Sequence, residues 1–243
     1  MPARCKNCPL RNWPLFDPMT DEEVNFMQQF KTGEMRVDPG TTLMNEGSDS
    51  PQRFTTLKGK GLRFKTHETG WRQVISFVLP GEFIGLQGGV MNKMQHLVES
   101  GTRMILCVFD RKALWTLFRD HPGRAHDQTW MAALTEHVLG ESMAALGQRR
   151  GIERISRALT RLYGRGAALG FLNGSKMPLP YQQQDLADAL GLSLVRTNKA
   201  LQPLRDRNIA RGYDGQLEIL KHAKLREIAT LAPSAKPVVR PLI

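Results

Sequence analysis

A change of pattern at residue 110 constrains this chain more than any other feature. From residue 34 to 110, short apolar stretches are cut by turn residues at Pro39-Gly40, Glu46-Gly47, Gly59, Gly61, Gly70, Pro80-Gly81 and Gly88-Gly89. Turn signals at intervals of about 8–12 residues predict many short strands closing into a sandwich or barrel, and Val74–Leu79 and Met104–Phe109 are strand-like. Past Asp110 the period becomes helical, with a short helix over 111–119 ending near His121-Pro122 and a long one over 124–147. Before the strands, residues 1–20 read as an irregular arm with Pro9, Pro14 and Pro18. Thr20 followed by Glu23 is a capping box that predicts a helix over Asp21–Phe30.

The long helix places Trp130, Leu134, Val138, Glu141 and Ala145 at spacings of 4, 4, 3 and 4, a coiled-coil-like seam interrupted by Glu141. A narrow stripe on a helix leaving a β domain favours pairing with a second copy through Trp130, Leu134 and Val138. The other reading is packing on its own domain. Gly147 and Gly151 flank a hinge. The next helix turns Ile152, Ile155, Leu159 and Leu162 inward and carries Arg149, Arg150, Arg154, Arg157, Arg161 and Arg165 on its other face. Residues 166–180 form a Gly/Pro-rich loop, and 232–243, with three prolines, read as a disordered tail.

Charge separates the two halves. The net charge is +11, yet residues 1–145 hold 17 Lys/Arg against 16 Asp/Glu, and residues 146–243 hold 17 against 7. A cationic half points to nucleic acid, because each neutralised phosphate releases counterions. A solvated basic surface is the plainer alternative. With 41% apolar residues the chain can build a core. No run of 18 apolar residues provides a membrane span, no apolar stretch near Met1 reads as a secretory signal, and three cysteines fit a reduced cytosol rather than a disulfide scaffold.

Within the basic half, Gln183–Gln202 reads QQDLADALGLSLVRTNKALQ. Leu186, Leu190 and Leu192 are spaced for two short packed helices. Ala187 is small where the backbones approach, Gly191 suits a turn needing positive φ, and Ser193 suits an N-cap. This is the helix-turn-helix pattern, with the second helix available to a major groove of double-stranded DNA. Ile209–Gly212 and Leu217–Leu220, flanking Tyr213-Asp214-Gly215, read as a β-wing.

An N-terminal β-roll, a long dimer helix and a C-terminal winged helix resemble the Crp/Fnr family of bacterial transcription regulators over residues 1 to about 230. Supporting pieces are Pro39-Gly40…Glu46-Gly47, Gly81-Glu82-Phe83-Ile84-Gly85 and Glu153-Arg154-Ile155. CPLR…P-x-F near the start resembles a subgroup with an N-terminal cysteine pair. The resemblance implies an α+β fold: an arm and cyclic-nucleotide-binding-like β-roll sensor over 1–123, a dimerisation helix over 124–147 and a winged helix-turn-helix over 148–231. It implies a cytoplasmic, non-enzymatic homodimer on a palindromic site, with RNA polymerase as partner. The alternative is a cyclic-nucleotide-binding effector subunit acting on another protein.

Departures from the family pattern shape the expected sites. Where cyclic-AMP-binding members follow Phe-Ile-Gly with a ribose-holding Glu, this chain has Leu86, and Asn92–Thr102 lacks the phosphate-binding Arg-Ser or Arg-Thr pair. Cyclic AMP is therefore not expected. In the recognition helix the family's base-reading Glu and Arg fall on Val195 and Lys199. Asn198 and Lys199 are expected on base edges, Val195 on a thymine methyl, and Arg196 and Ser193 on the backbone. Pro203 is expected to end or kink the helix.

Cys5-x-x-Cys8 and Cys107 resemble three of the four ligands of the family's iron–sulfur branch. The fourth falls near Pro14, so a cluster needs water or a carboxylate such as Asp17. A redox disulfide and unremarkable thiols are the other readings. His67 and His96 have no metal-ligand spacing, and Met91, Met94 and Met104 read as core.

Overall fold

The computed structural model describes residues 4–213, 215–231 and 238–243. The chain forms two compact units, one running to Glu136 and joined by Val239–Ile243, the other spanning His137–Val238.

The first unit starts with two 3-10 turns, Cys5–Asn7 and Pro9–Asn12, and then helix α1 (Asp21–Phe30). Its capping box forms as expected: Thr20 Oγ1 accepts from the Glu23 amide at 3.2 Å and the Glu23 carboxylate accepts from the Thr20 amide at 2.8 Å. Strands β1 (Lys31–Val37), β2 (Thr42–Met44), β3 (Gln52–Lys58), β4 (Gly61–Thr66), β5 (Arg72–Val78) and β6 (Phe83–Ile84) follow. Helix α2 (Leu86–Val90), β7 (Leu97–Ser100), β8 (Met104–Asp110) and α3 (Leu114–Asp120) lead into the long α4 (Pro122–Gln148). The strands make two antiparallel four-stranded sheets ordered β1-β8-β3-β6 and β2-β7-β4-β5. Gly59 permits the tight β3–β4 turn: φ is +93°, and a Cβ there would lie 2.4 Å from the Arg103 carbonyl.

Alternation along β8 divides the core. Met104, Leu106 and Val108 join Met44, Phe54, Val78, Ile84, Met94 and Val98, drawn from both sheets. Cys107 and Phe109 point the other way, to Met27 and Phe30 of α1, Leu117 of α3, and Ala125 and Met131 of α4. Of the methionines expected inside, Met94 and Met104 are buried but Met91 is exposed, because it follows the end of α2 on the surface.

The tail expectation is corrected where it can be seen. Residues 232–237 lie outside the described residues, but Arg240–Ile243 are buried. Ile243 completes the Phe83–Phe109 cluster and Arg240 pairs with Glu82. The three prolines obscured a short apolar segment with a buried partner for its one charge.

The second unit contains the end of α4, α5 (Gly151–Ala168), β9 (Lys176–Pro178), α6 (Gln183–Leu190), α7 (Leu194–Asp206), β10 (Ala210–Tyr213), β11 (Gln216–Ile219) and α8 (His222–Ile228). Its three strands pair antiparallel in the order β10-β11-β9. Ile155, Leu159, Leu162, Leu186, Ala187, Leu204, Leu217 and Leu225 are all buried. Glu141, expected to interrupt the seam, has partners within its own chain. Its Oε2 accepts from Arg157 and, at 3.1 Å, from Arg161, tying the end of α4 to α5.

Candidate nucleic-acid interface

The turn between α6 and α7 forms through the residues the sequence marks for it. Gly191 caps α6 at φ +59°, a conformation that strains any residue with a Cβ. The Leu192 amide donates to the Ala187 carbonyl at 3.0 Å, and the Ala187 side chain is fully buried. Ser193 caps α7, its Oγ accepting from the Arg196 amide at 3.2 Å. At the other end of α6 the Gln182 amide donates to Asp185 at 2.7 Å, so both helices are terminated by side chains.

Thr197 and Leu204 turn the inner face of α7 into the unit. The outer face presents Val195, Asn198, Lys199, Gln202 and Arg205, which line one shallow groove. Positions i, i+3, i+4, i+7 and i+10 fall on one side of an α-helix. Val195, at 64% exposure, is a large apolar side chain left mostly to solvent. Arg196 is exposed one residue, about 100°, around the helix from Val195. Pro203 does not end α7, which continues to Asp206. It removes only the amide that would have reached the Lys199 carbonyl.

The wing stands on a polar base. Arg211 Nε donates to Glu218 Oε2 at 2.6 Å and Ser175 Oγ donates to Glu218 Oε1 at 3.0 Å. The Arg211 guanidinium and the Lys176 ammonium lie 5.6 and 5.5 Å from the Tyr213 ring centre, so cations flank the aromatic near the wing tip.

Several arginines that contribute to the basic charge hold the fold instead. Arg154 donates to the carbonyls of Arg149, Leu146 and Leu190, at 2.8, 2.5 and 3.1 Å. Arg157 is buried against Glu141. Gln202 and Arg205 escaped the sequence reading, although one more step along the same helical face reaches them. Lys176 was hidden because β9, which joins the wing, lies within the stretch read as a Gly/Pro-rich loop.

In the first unit, Gly85 adopts φ +98° and Leu86 opens α2, packing against the apolar cluster. Beneath α2 lies Arg53, only 1% exposed, with Nη2 donating to the Arg111 carbonyl at 2.6 Å. Its guanidinium fills the space a Cβ on Gly89 would need, and burial lowers its pKa to about 10. The expected dimer residues are unequal. Trp130 is half-buried against the core of the first unit, Leu134 is half-buried, and Val138 is 38% exposed alongside exposed Leu139 and Met143.

The three cysteines are drawn together. Cys5 packs on the cluster containing Cys107, and the field of Lys31 reaches Cys5, Cys8 and Cys107. Burial raises all three thiols, Cys107 to about 12. Among the described residues no group of three or more His, Cys, Asp or Glu is arranged to hold a metal ion, and Pro14 supplies no donor. The donor set does not fit a four-cysteine cluster. His67 is exposed, its ring sharing a hydrogen bond with Thr69 at 2.9 Å, and His96 is half-buried.

Comparison with known proteins places this geometry. Residues 153–228 match the Crp-like helix-turn-helix domain. The chain is 27% identical over 237 residues to the transcriptional activator protein FnrL of Cereibacter sphaeroides, covering 96% of this chain and 92% of that one. It is 27% identical over 191 residues to the nitrogen fixation regulation protein FixK of Rhizobium meliloti, covering 78% of this chain and 84% of the relative. Among solved structures it is similar in fold to FixK2 of Bradyrhizobium japonicum, with a TM-score of 0.72 at 21% identity over 83% of this chain and 98% of that one. Among the described residues no helix is long and apolar enough to cross a membrane.

Proposed function

The chain belongs to the Crp/Fnr family of transcription regulators, and from that premise we propose that it acts as a cytoplasmic homodimer that reads a near-palindromic double-stranded DNA site. The observation that carries this reading is the outer face of α7. An exposed Val195 beside Asn198, Lys199, Gln202 and Arg205 lines one open face of α7, and this face suits the edges of bases. Asn198 bridges adenine N6 and N7, Lys199 donates to guanine O6 and N7, and Val195 meets a thymine methyl. Ser193 and Arg196 at the start of the helix hold the phosphate backbone, with Lys176 and Arg211 of the wing beside them.

Two copies paired through α4, by Leu134 and Val138 with Trp130 at the edge, set the two α7 helices about one DNA turn apart. The functional divisions follow as 1–123, 124–147 and 148–231. FnrL carries the name of an activator, and activation gives RNA polymerase as the protein partner. The β-roll receives the signal. With Leu86 in place of the ribose-holding Glu and no Arg-Ser or Arg-Thr pair over Asn92–Thr102, cyclic AMP is not that signal.

The test is selection of binding sites from random duplexes. Lys199→Ala should relax preference at one base pair of each half-site, at a loss of about 1–3 kcal/mol. Arg196→Ala should weaken all sequences alike and flatten the salt dependence. If Arg196→Ala alone changes the preferred sequence, α7 enters the groove rotated by about one residue and the roles are reversed.

A further inference from the structure

The last four residues do something neither the helix-turn-helix nor the sensor reading uses. The Arg240 amide donates to the Leu15 carbonyl and the Asp17 amide donates to the Arg240 carbonyl, both at 2.9 Å, so Arg240 forms an isolated parallel bridge with Phe16 of the arm. Arg240 Nη1 donates to Glu82 Oε1 at 3.2 Å, Arg124 Nη1 donates to the Leu242 carbonyl at 3.4 Å, and Thr55 Oγ1 donates to the Ile243 carbonyl. Ile243 inserts beside Phe83, Phe109 and Met131. Gly81 supports the seat: its φ is +81°, and a Cβ there would lie 2.2 Å from the Phe16 ring, so only glycine lets the arm close on this side.

Every charged group of the seat has another partner. Glu82 Oε2 is paired with Arg63 Nη2 at 3.3 Å. Arg124 Nη2 is paired with Glu23 at 2.8 Å and with Asp127 at 2.6 Å. Departure of the segment therefore strands no charge of the seat, the largest penalty for opening a buried ion pair. Arg240 itself regains water. What opens is an apolar notch with backbone groups along one edge, the form that accepts an added strand.

We propose that the first unit carries a groove for an extended peptide containing Arg-Pro-Leu-Ile, and that the chain's own Arg240–Ile243 segment occupies it as a releasable latch. Arg240 supplies register through Glu82, and Leu242 and Ile243 supply the apolar contact. Its departure frees the Leu15 carbonyl, the Asp17 amide and Thr55 Oγ1 for an incoming peptide, while Glu82 and Arg124 keep their other partners.

The experiment uses the full chain and a fluorescein-labelled hexapeptide, Val-Val-Arg-Pro-Leu-Ile. Arg240→Glu and, separately, Arg240→Gln weaken the latch. Each variant should bind the peptide saturably by fluorescence anisotropy, at least tenfold more tightly than the unaltered chain, whose groove is filled. A peptide with Glu in place of its Arg should lose at least tenfold. All four tryptophans lie in residues up to 136, so their emission reports whether the first unit stays folded. Equal binding by variant and unaltered chain, or no binding by a folded variant, overturns the groove. Unfolding of the first unit in both variants overturns the latch, because the segment would then be permanent core.

Discussion

Replacing Glu141 by Ala tests whether the junction of α4 and α5 depends on one carboxylate. Glu141 Oε2 accepts from both Arg157 and Arg161, and the Arg157 side chain is only 10% exposed. Burial, followed by the neighbouring Arg157, already lowers the Arg161 pKa. Removing one partner of a well-buried pair typically costs about 3–5 kcal/mol. The Glu141 side chain is 36% exposed, so water restores part of this, and we expect about 2 kcal/mol. For a unit of roughly 100 residues each kcal/mol moves the midpoint by about 4–8 °C, giving a drop of about 8–16 °C. The assay exploits a division of the aromatics. The three tyrosines, Tyr163, Tyr181 and Tyr213, lie in the second unit and the four tryptophans in the first. Tyrosine difference absorbance therefore follows the affected unit while tryptophan emission serves as control. Glu141→Leu combined with Arg157→Met should recover most of the loss, since an apolar pair of similar volume removes the stranded charge. A tyrosine midpoint that moves by less than about 1 °C in Glu141→Ala would refute the reasoning.

Three further outcomes are expected. His96 is held at about 4 by burial first and then by Arg63. The unfolded chain thus takes up a proton below about pH 6.5 that the folded chain refuses until about 4, and this group's contribution to stability falls as pH falls through that window. His96→Gln should flatten that part of the acid stability curve followed by tryptophan emission, and a superimposable curve would count against it. Cys107, raised to about 12 by burial, should resist iodoacetamide at pH 8 in the folded chain while Cys5 and Cys8 react more slowly than free thiols. Intact-mass analysis should then show a third adduct only after denaturation. Leu134→Glu should convert dimer to monomer in sedimentation, and an unchanged dimer would move the interface away from the middle of α4.

The elements legible in the sequence were those whose reasons are local. The capping box at Thr20 and Glu23, the Gly191 turn and the Ser193 cap are each decided within about four residues, and each took its expected form. The partners of Glu141 were not legible because they lie 16 and 20 residues away on α5, beyond any periodicity count. The basic face of α5 was overestimated for the same reason: Arg154 and Arg157 look like surface charge until the carbonyls and carboxylate they satisfy are visible. Arg53 gave no sign of being buried, since a strand position shows only that it alternates. The C-terminal segment was the least legible, because its partners at Leu15, Thr55 and Glu82 are more than 150 residues distant.

The place of Ile243 in the first unit's core has a consequence for how the protein is made. Strands β1 and β8 pair Lys31–Val37 with Met104–Asp110, so the sheet that receives Ile243 waits for a distant stretch of chain before it can close. Synthesis delivers the N-terminal unit first and the helices of the second unit afterwards. The residue that fills the space beside Phe83 and Phe109 leaves the ribosome only after every helix of the second unit. A nascent chain stalled before Ile243 holds the strands of the first unit with an open apolar notch. The unit begun first is closed only after the unit begun second has been made.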